Sequence, residues 1–130
     1  MSEQDVETIR GGYDAFNSGN PGGVLERLAA EIEWVEPGGG NAPAGTFTDA
    51  ESISEKVFAP VPEQFDEFTA EPENFDDQGD TIVVTGRFKG KSKSGTELDA
   101  AFEHVYAMKD GKIARLENNV DQEPWAAAWS

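Results

Sequence analysis

"TELDAAFEHVYAMKDGKIARLENNV", Thr96 to Val120, contains two runs of alternating residues separated by Lys-Asp-Gly. In the first run Leu98, Ala100, Phe102, His104, Tyr106 and Met108 fall on one side of an extended chain, and Asp99, Glu103 and Lys109 punctuate the other. The Asp110-Gly111 pair suits a type I′ turn, whose twist matches that of paired strands, so the stretch reads as a β-hairpin with its first face inward. Upstream, "EFTAEPENF" (67–75) and "DTIVVTGRFKG" (80–90) also have strand character, and "KSG" at 93–95 supplies a second Gly-containing turn. The C-terminal half is therefore a series of consecutive strands, closed by a short helix in "EPWAAAWS".

The N-terminal half has a different period. Val6, Ile9, Tyr13 and Phe16 recur at helical spacing from residue 3 to 17, behind a Ser2/Asp5 capping pair, until "NSGN" stops the helix. Asn20 and Pro21 open a second helix over "NPGGVLERLAA", with Val24, Leu25 and Leu28 inward. "EIEWVE" then alternates and puts Ile32, Trp34 and Glu36 on one strand face. A mobile Gly/Pro/Ala loop follows. The capping box "TDAE" (48–51) opens a third helix through Ala59, which Pro60 and Pro62 end. Helices first and strands afterwards make an α+β fold, read as one domain over residues 1–130.

Composition narrows the function classes. The 26 acidic against 10 basic residues give a formal net charge of −16, which repels nucleic-acid phosphates and anionic lipid, so neither nucleic acid nor membrane is an expected partner. Only 6 lysines accompany this acid excess, a balance found in acidic, halophilic proteins; an ordinary acidic protein is the other reading. With no cysteine and one histidine, thiolate chemistry and His-cluster metal sites are excluded. The first ten residues show no basic region or apolar core, which points to a cytoplasmic protein.

His104 lies in a row of large apolar side chains, where an imidazole must find a partner or lose its charge. Tyr13 from the first helix, Trp34 and Glu36 from the first strand, and Asn119 and Asp121 at the end of the last strand can join it around a small-ligand pocket lined by Phe102 and Tyr106. Each also has a plainer reading. Tyr13 can be core packing, Trp34 a wall, Glu36 a solvated strand end, and Asp121 a carboxylate at the positive end of the last helix.

Together "YDAFNSGN", "EWVEPGGG" and "FEHVYAMKDGKIARLENNVD" resemble the SnoaL-like polyketide cyclase family of the nuclear-transport-factor-2-like superfamily, over nearly the whole chain. The most specific elements are Y-x-A-F-N-x-G from Tyr13 and H-V-x-x-x-x-D-G-K-I from His104, with Val120-Asp121 beyond. The resemblance implies a cone-shaped, strongly curved antiparallel sheet wrapped by three helices (a cystatin-like α+β barrel) and a homodimer through the sheet. It also implies that Asp121 is the acid/base and His104 its polar partner in an aldol closure. Related ketosteroid isomerases instead imply Glu36 as base, with Tyr13 and Glu103 as donors; alternation, however, puts Glu103 on the face opposite His104.

Proton removal beside a carbonyl needs a carboxylate whose pKa is lifted toward neutrality and a donor for the enolate oxygen. Asp121 or Glu36 suits the first role, and neutral His104 or Tyr13 the second. That chemistry needs no metal or organic cofactor. The expected function is cyclisation or isomerisation of a small apolar carbonyl compound; the alternatives are a non-catalytic binder of such molecules and a dimeric interaction module.

Overall fold

A computed structural model describes residues 3–130 of the chain. Helix α1 (Glu3–Asn17) buries Ile9, Gly12 and Tyr13, as its periodicity predicts, while the expected cap at Ser2 lies outside the described residues. Asn17 then locks the helix to the sheet: its amide donates to the Ala70 carbonyl at 2.8 Å and its oxygen accepts from the Ala70 N–H at 2.9 Å.

Asn20 caps α2 (Pro21–Leu25) through the Gly23 N–H. This helix is shorter than its sequence pattern suggests. From Leu28 the chain is already strand β1 (Leu28–Pro37), because two glycines weaken the helix while Leu28 pairs with Ile113 of the last strand. After residues 38–43 comes a strand not expected from sequence, β2 (Ala44–Phe47), paired antiparallel with the end of β1.

In the third helical segment the cap is Asp49 rather than Thr48, with its carboxylate accepting the Ser52 N–H at 2.7 Å. Helix α3 (Ala50–Ile53) runs into a π-helical turn, Ser54–Phe58, and then α4 (Pro60–Gln64). The prolines expected to stop the helix instead open its last turn: at a first-turn position the missing proline N–H costs no hydrogen bond.

Strands β3 (Phe65–Asp77), β4 (Ile82–Ser92), β5 (Glu97–Lys109) and β6 (Lys112–Val120) follow as consecutive hairpins, and α5 (Gln122–Ala128) ends the chain. The hairpin quoted first forms as read, with positive φ at Asp110 (52°) and Gly111 (78°). Sheet order is β2-β1-β6-β5-β4-β3; every pairing is antiparallel except β1 with β6, so the curved, unclosed sheet is mixed. At Gly86 a side chain would collide with the β3 backbone near a register shift in that strand, so the close approach there requires glycine.

The core lies between the inner sheet face and the N-terminal helices. Ile9, Ile32, Ile53, Ile82 and Val84 are buried almost completely. No helix among the described residues is long and apolar enough to cross a membrane.

Candidate functional site

Register assembles the site. His104 of β5 faces Asn118 of β6, and the parallel pairing of Val35 with Glu117 sets Glu36, one step along β1, beside Asn118. Three polar side chains from adjacent strands thus lie in a row on the inner face, and α1 lowers Tyr13 onto them. Glu36, His104 and Asn118 are each 5–8% exposed.

The hydrogen bonds form one chain with one direction. Tyr106 Oη donates to Tyr13 Oη at 2.9 Å, which leaves the Tyr13 proton for His104 Nδ1 at 2.6 Å. With Nδ1 accepting, neutral His104 carries its proton on Nε2 and donates to Asn118 Oδ1 at 2.8 Å. Asn118 Nδ2 in turn donates to Glu36 Oε1 at 3.1 Å, and Trp34 Nε1 donates to Glu36 Oε2 at 2.5 Å. Every proton in the chain points toward Glu36, which ends it as a pure acceptor.

Burial sets the protonation of these groups. It pushes the Glu36 carboxyl up to about 7, and the hydrogen bonds from Trp34 and Asn118 pull back only part of that shift. It lowers His104 to about 3, against a smaller upward pull from Asn118, so the ring stays neutral. Both tyrosines are pushed above their ordinary value by the same desolvation and keep their protons.

Around this row lies a cavity of about 90 Å³. Tyr13, Trp34, Glu36, His104, Tyr106 and Asn118 bring polar atoms to it, Ile9, Phe16, Phe58, Phe68 and Phe88 are among its apolar wall, and Trp125 and Trp129 also line it. Phe102 stands behind the wall, stacked on the His104 ring with centroids 3.9 Å apart, and so fixes the imidazole without lining the cavity.

Two candidate residues lie elsewhere. Asn119 is exposed and pairs with Glu103 on the outer face; Asp121 is exposed at the start of α5, the plainer of its two readings, and does not line the cavity. The physical reason is a bulge. Strict alternation from buried Ile113 would carry Arg115, Glu117, Asn119 and Asp121 inward, but the register slips one residue between Ala107 and Met108 and turns that set outward. Asn118 takes the place expected of Asn119; its signal in the sequence was its spacing of two from both Leu116 and Val120.

The glycine loop also departs from the mobile flap expected. Gly38 O accepts from Trp125 Nε1 at 3.1 Å and Gln122 Nε2 at 3.3 Å, and Asn41 N donates to Trp129 O at 2.9 Å. At Gly40, φ is +58° and a Cβ would meet the α5 backbone, so glycine here permits tight docking of the loop onto the last helix. Among the described residues no group of three or more His, Asp or Glu is placed to hold a metal ion.

The sequence profile of the SnoaL-like domain matches residues 9–116. No curated protein matches the chain. Among solved structures, TerC co-crystallised with polyporic acid is 29% identical, with 98% of each chain covered and a TM-score of 0.88. An NTF2-like protein of unknown function from Burkholderia pseudomallei is 26% identical, covering 100% of this chain and 99% of its own at a TM-score of 0.90. A protein from Sinorhizobium meliloti provisionally assigned as a polyketide cyclase shares the fold at 21% identity, with 87% and 94% covered and a TM-score of 0.67.

Proposed function

The chain belongs to the SnoaL-like domain family, and from that premise we propose that its cavity binds a small, largely apolar carbonyl compound and moves a proton at the carbon beside the carbonyl, with Glu36 as acid/base. The observation that carries this reading is Glu36 itself: a carboxyl held near pH 7 by burial, its two oxygens fixed by Trp34 and Asn118, on the wall of an aromatic cavity. A base poised at the working pH is what proton abstraction from carbon needs.

In this mechanism ionised Glu36 takes the proton, the C–H electron pair moves into the carbonyl, and an enolate forms. Tyr13 and Tyr106, kept protonated by burial, are the hydroxyls that can turn toward the enolate oxygen. Return of the proton to another carbon gives isomerisation; attack of the enolate carbon on a second carbonyl of the same molecule gives ring closure. Co-crystallisation of TerC with polyporic acid supports the ligand-binding part of this reading. A cavity of about 90 Å³ speaks against a filled pocket; a binder without chemistry, the second reading, would use the same cavity and differ from the catalyst only in kinetics.

The experiment is deuterium exchange at the carbon beside the carbonyl across a panel of small ketones and β-dicarbonyl compounds. Exchange by wild type that falls about 10²- to 10⁴-fold in Glu36→Gln, with binding retained, supports proton transfer. Compounds that bind without exchanging leave the binder.

The same reading includes a cytoplasmic homodimer through the outer sheet face, where Val35, Val83 and Val105 are half-buried, and an environment of concentrated salt to suit the charge of −16.

A further inference from the structure

Among the residues that line the cavity, every side-chain nitrogen and hydroxyl has a protein partner, with one exception. Tyr13, Tyr106, His104 and Asn118 are tied into the chain that ends at Glu36, Trp34 Nε1 is held by Glu36, and Trp125 Nε1 by the Gly38 carbonyl. Trp129 Nε1 is buried and has no hydrogen-bond partner among the described residues. Its residue is only 2% exposed and lines the same cavity as Glu36. A buried donor left unsatisfied is rare and destabilising, so an orphan on a residue that lines the cavity is a group awaiting an acceptor.

We propose that the Trp129 indole N–H is the donor that anchors the oxygen of the bound molecule, making Trp129 a ligand-binding and specificity-determining residue of this pocket. The inference rests on the reading of the cavity as a ligand site and goes further by selecting the ligand: one that carries an acceptor oxygen on an otherwise apolar frame. Trp129 is well placed to hold its donor still. Its backbone carbonyl takes the Asn41 N–H of the glycine loop, and its ring packs edge-on to Phe65 with centroids 5.0 Å apart. A rigid donor in an apolar wall discriminates strongly, because a ligand without the oxygen leaves the N–H buried and unpaired.

The test compares acetophenone with α-methylstyrene, which replaces the carbonyl oxygen by a methylene of similar shape. In ¹⁵N-labelled full-length protein the three indole N–H signals are assigned with single Trp→Phe variants, then followed during titration with each compound. Acetophenone should move the Trp129 signal downfield, as a new hydrogen bond does, and α-methylstyrene should not. Trp129→Phe should bind acetophenone roughly tenfold more weakly and α-methylstyrene within about twofold of wild type.

Equal shifts with both compounds, a Trp129 signal in the free protein shifted upfield by a facing ring such as Phe65, or no binding of acetophenone at millimolar concentration would each overturn the proposal. A ligand-dependent shift of the Asn118 side-chain amide in place of Trp129 would do the same and move the anchor to Asn118. The wild-type titration stands even where Trp129→Phe fails to fold. A Trp129 response to acetophenone, alongside exchange that Glu36→Gln leaves unchanged, would keep this inference and remove the proton-transfer reading. Loss of exchange in Glu36→Gln with a silent Trp129 would do the reverse.

Discussion

The two faces of the β1-β6-β5 ribbon are made of neighbouring residues and behave as different chemical environments. Inward, Glu36, Asn118 and His104 are buried and share one directed set of hydrogen bonds. Outward, on the opposite side of the pleat, Glu33, Glu117, Asn119 and Glu103 meet water, with Arg115 bridging Glu33 at 2.6 Å and Glu117 at 3.4 Å. Glu36 and Glu33 have the same side chain and differ by half a pleat in direction. Desolvation lifts the first toward neutrality, while on the solvated face charge is screened and an ion pair contributes about 0–1 kcal/mol. Strand parity therefore decides whether a carboxylate is buried and lifted toward neutrality or part of a solvated surface.

The largest effect that can break this contrast is catalytic. Glu36→Gln should abolish nearly all deuterium exchange, by about 10²- to 10⁴-fold, whereas Glu103→Gln and Asp121→Asn should stay within about twofold of wild type. A large loss in Asp121→Asn would mean that the reacting molecule reaches the rim of α5 rather than the cavity.

Next comes stability. His104→Ala leaves the Tyr13 proton without its acceptor and the Asn118 oxygen without its donor and opens a hole against Phe102, so urea unfolding should show a loss of about 3–5 kcal/mol. Glu103→Ala, its neighbour on the solvated side, should change stability by no more than about 0.5 kcal/mol.

The pH dependence separates the two buried groups. The Glu36 carboxyl rises from 4.5 to about 7 on folding, so its contribution to stability is full below about pH 4.5 and is lost as pH rises through 7, about 3 kcal/mol in all. His104 runs the other way: its pKa drops from 6.5 to about 3, so its contribution is full above 6.5 and is lost as pH falls toward 3. The two offset one another between pH 4.5 and 6.5, and stability should be greatest there. In Glu36→Gln the alkaline decline from this group should vanish, read as a difference in slope in molar salt, even though the amide leaves one of the two donors on Glu36 unpaired. An unchanged slope would place the Glu36 carboxyl in contact with water.

The smallest expected effect belongs to the outer face and the overall charge. With a net charge of −16, added salt should raise the unfolding midpoint, because relief of repulsion among 26 acids outweighs screening of a few exposed ion pairs. A flat response between dilute and molar salt would count against the concentrated-salt reading. Sedimentation under the same conditions tests the outer-face dimer, which a purely 14.1 kDa species would exclude.

Much of this was legible in local pattern. The residue 3–17 helix, the four C-terminal strands, the Asp110-Gly111 turn and the inward placement of Tyr13, Trp34, Glu36, His104 and Tyr106 follow from periods of 3.6 and 2, which depend only on backbone geometry. That His104 finds buried partners followed as well, since an imidazole in an apolar row must be hydrogen-bonded or lose its charge.

What the tertiary structure decided lies where distant segments meet. The bulge in β6 that exchanges Asn118 for Asn119 is fixed by pairing with β5, where the spacing of Leu116 and Val120 alone left both parities open, and α2, already weakened by two glycines, is cut short by the pairing of Leu28 with Ile113 of β6. The glycines at 38–40 announce backbone freedom, but only the approach of α5 shows that this freedom serves close packing instead of motion. Charge was decided the same way. Glu36 is one of 26 acids in the sequence, and its elevated pKa exists only because the fold removes it from water, an effect that the hydrogen bonds from Trp34 and Asn118 reverse only in part.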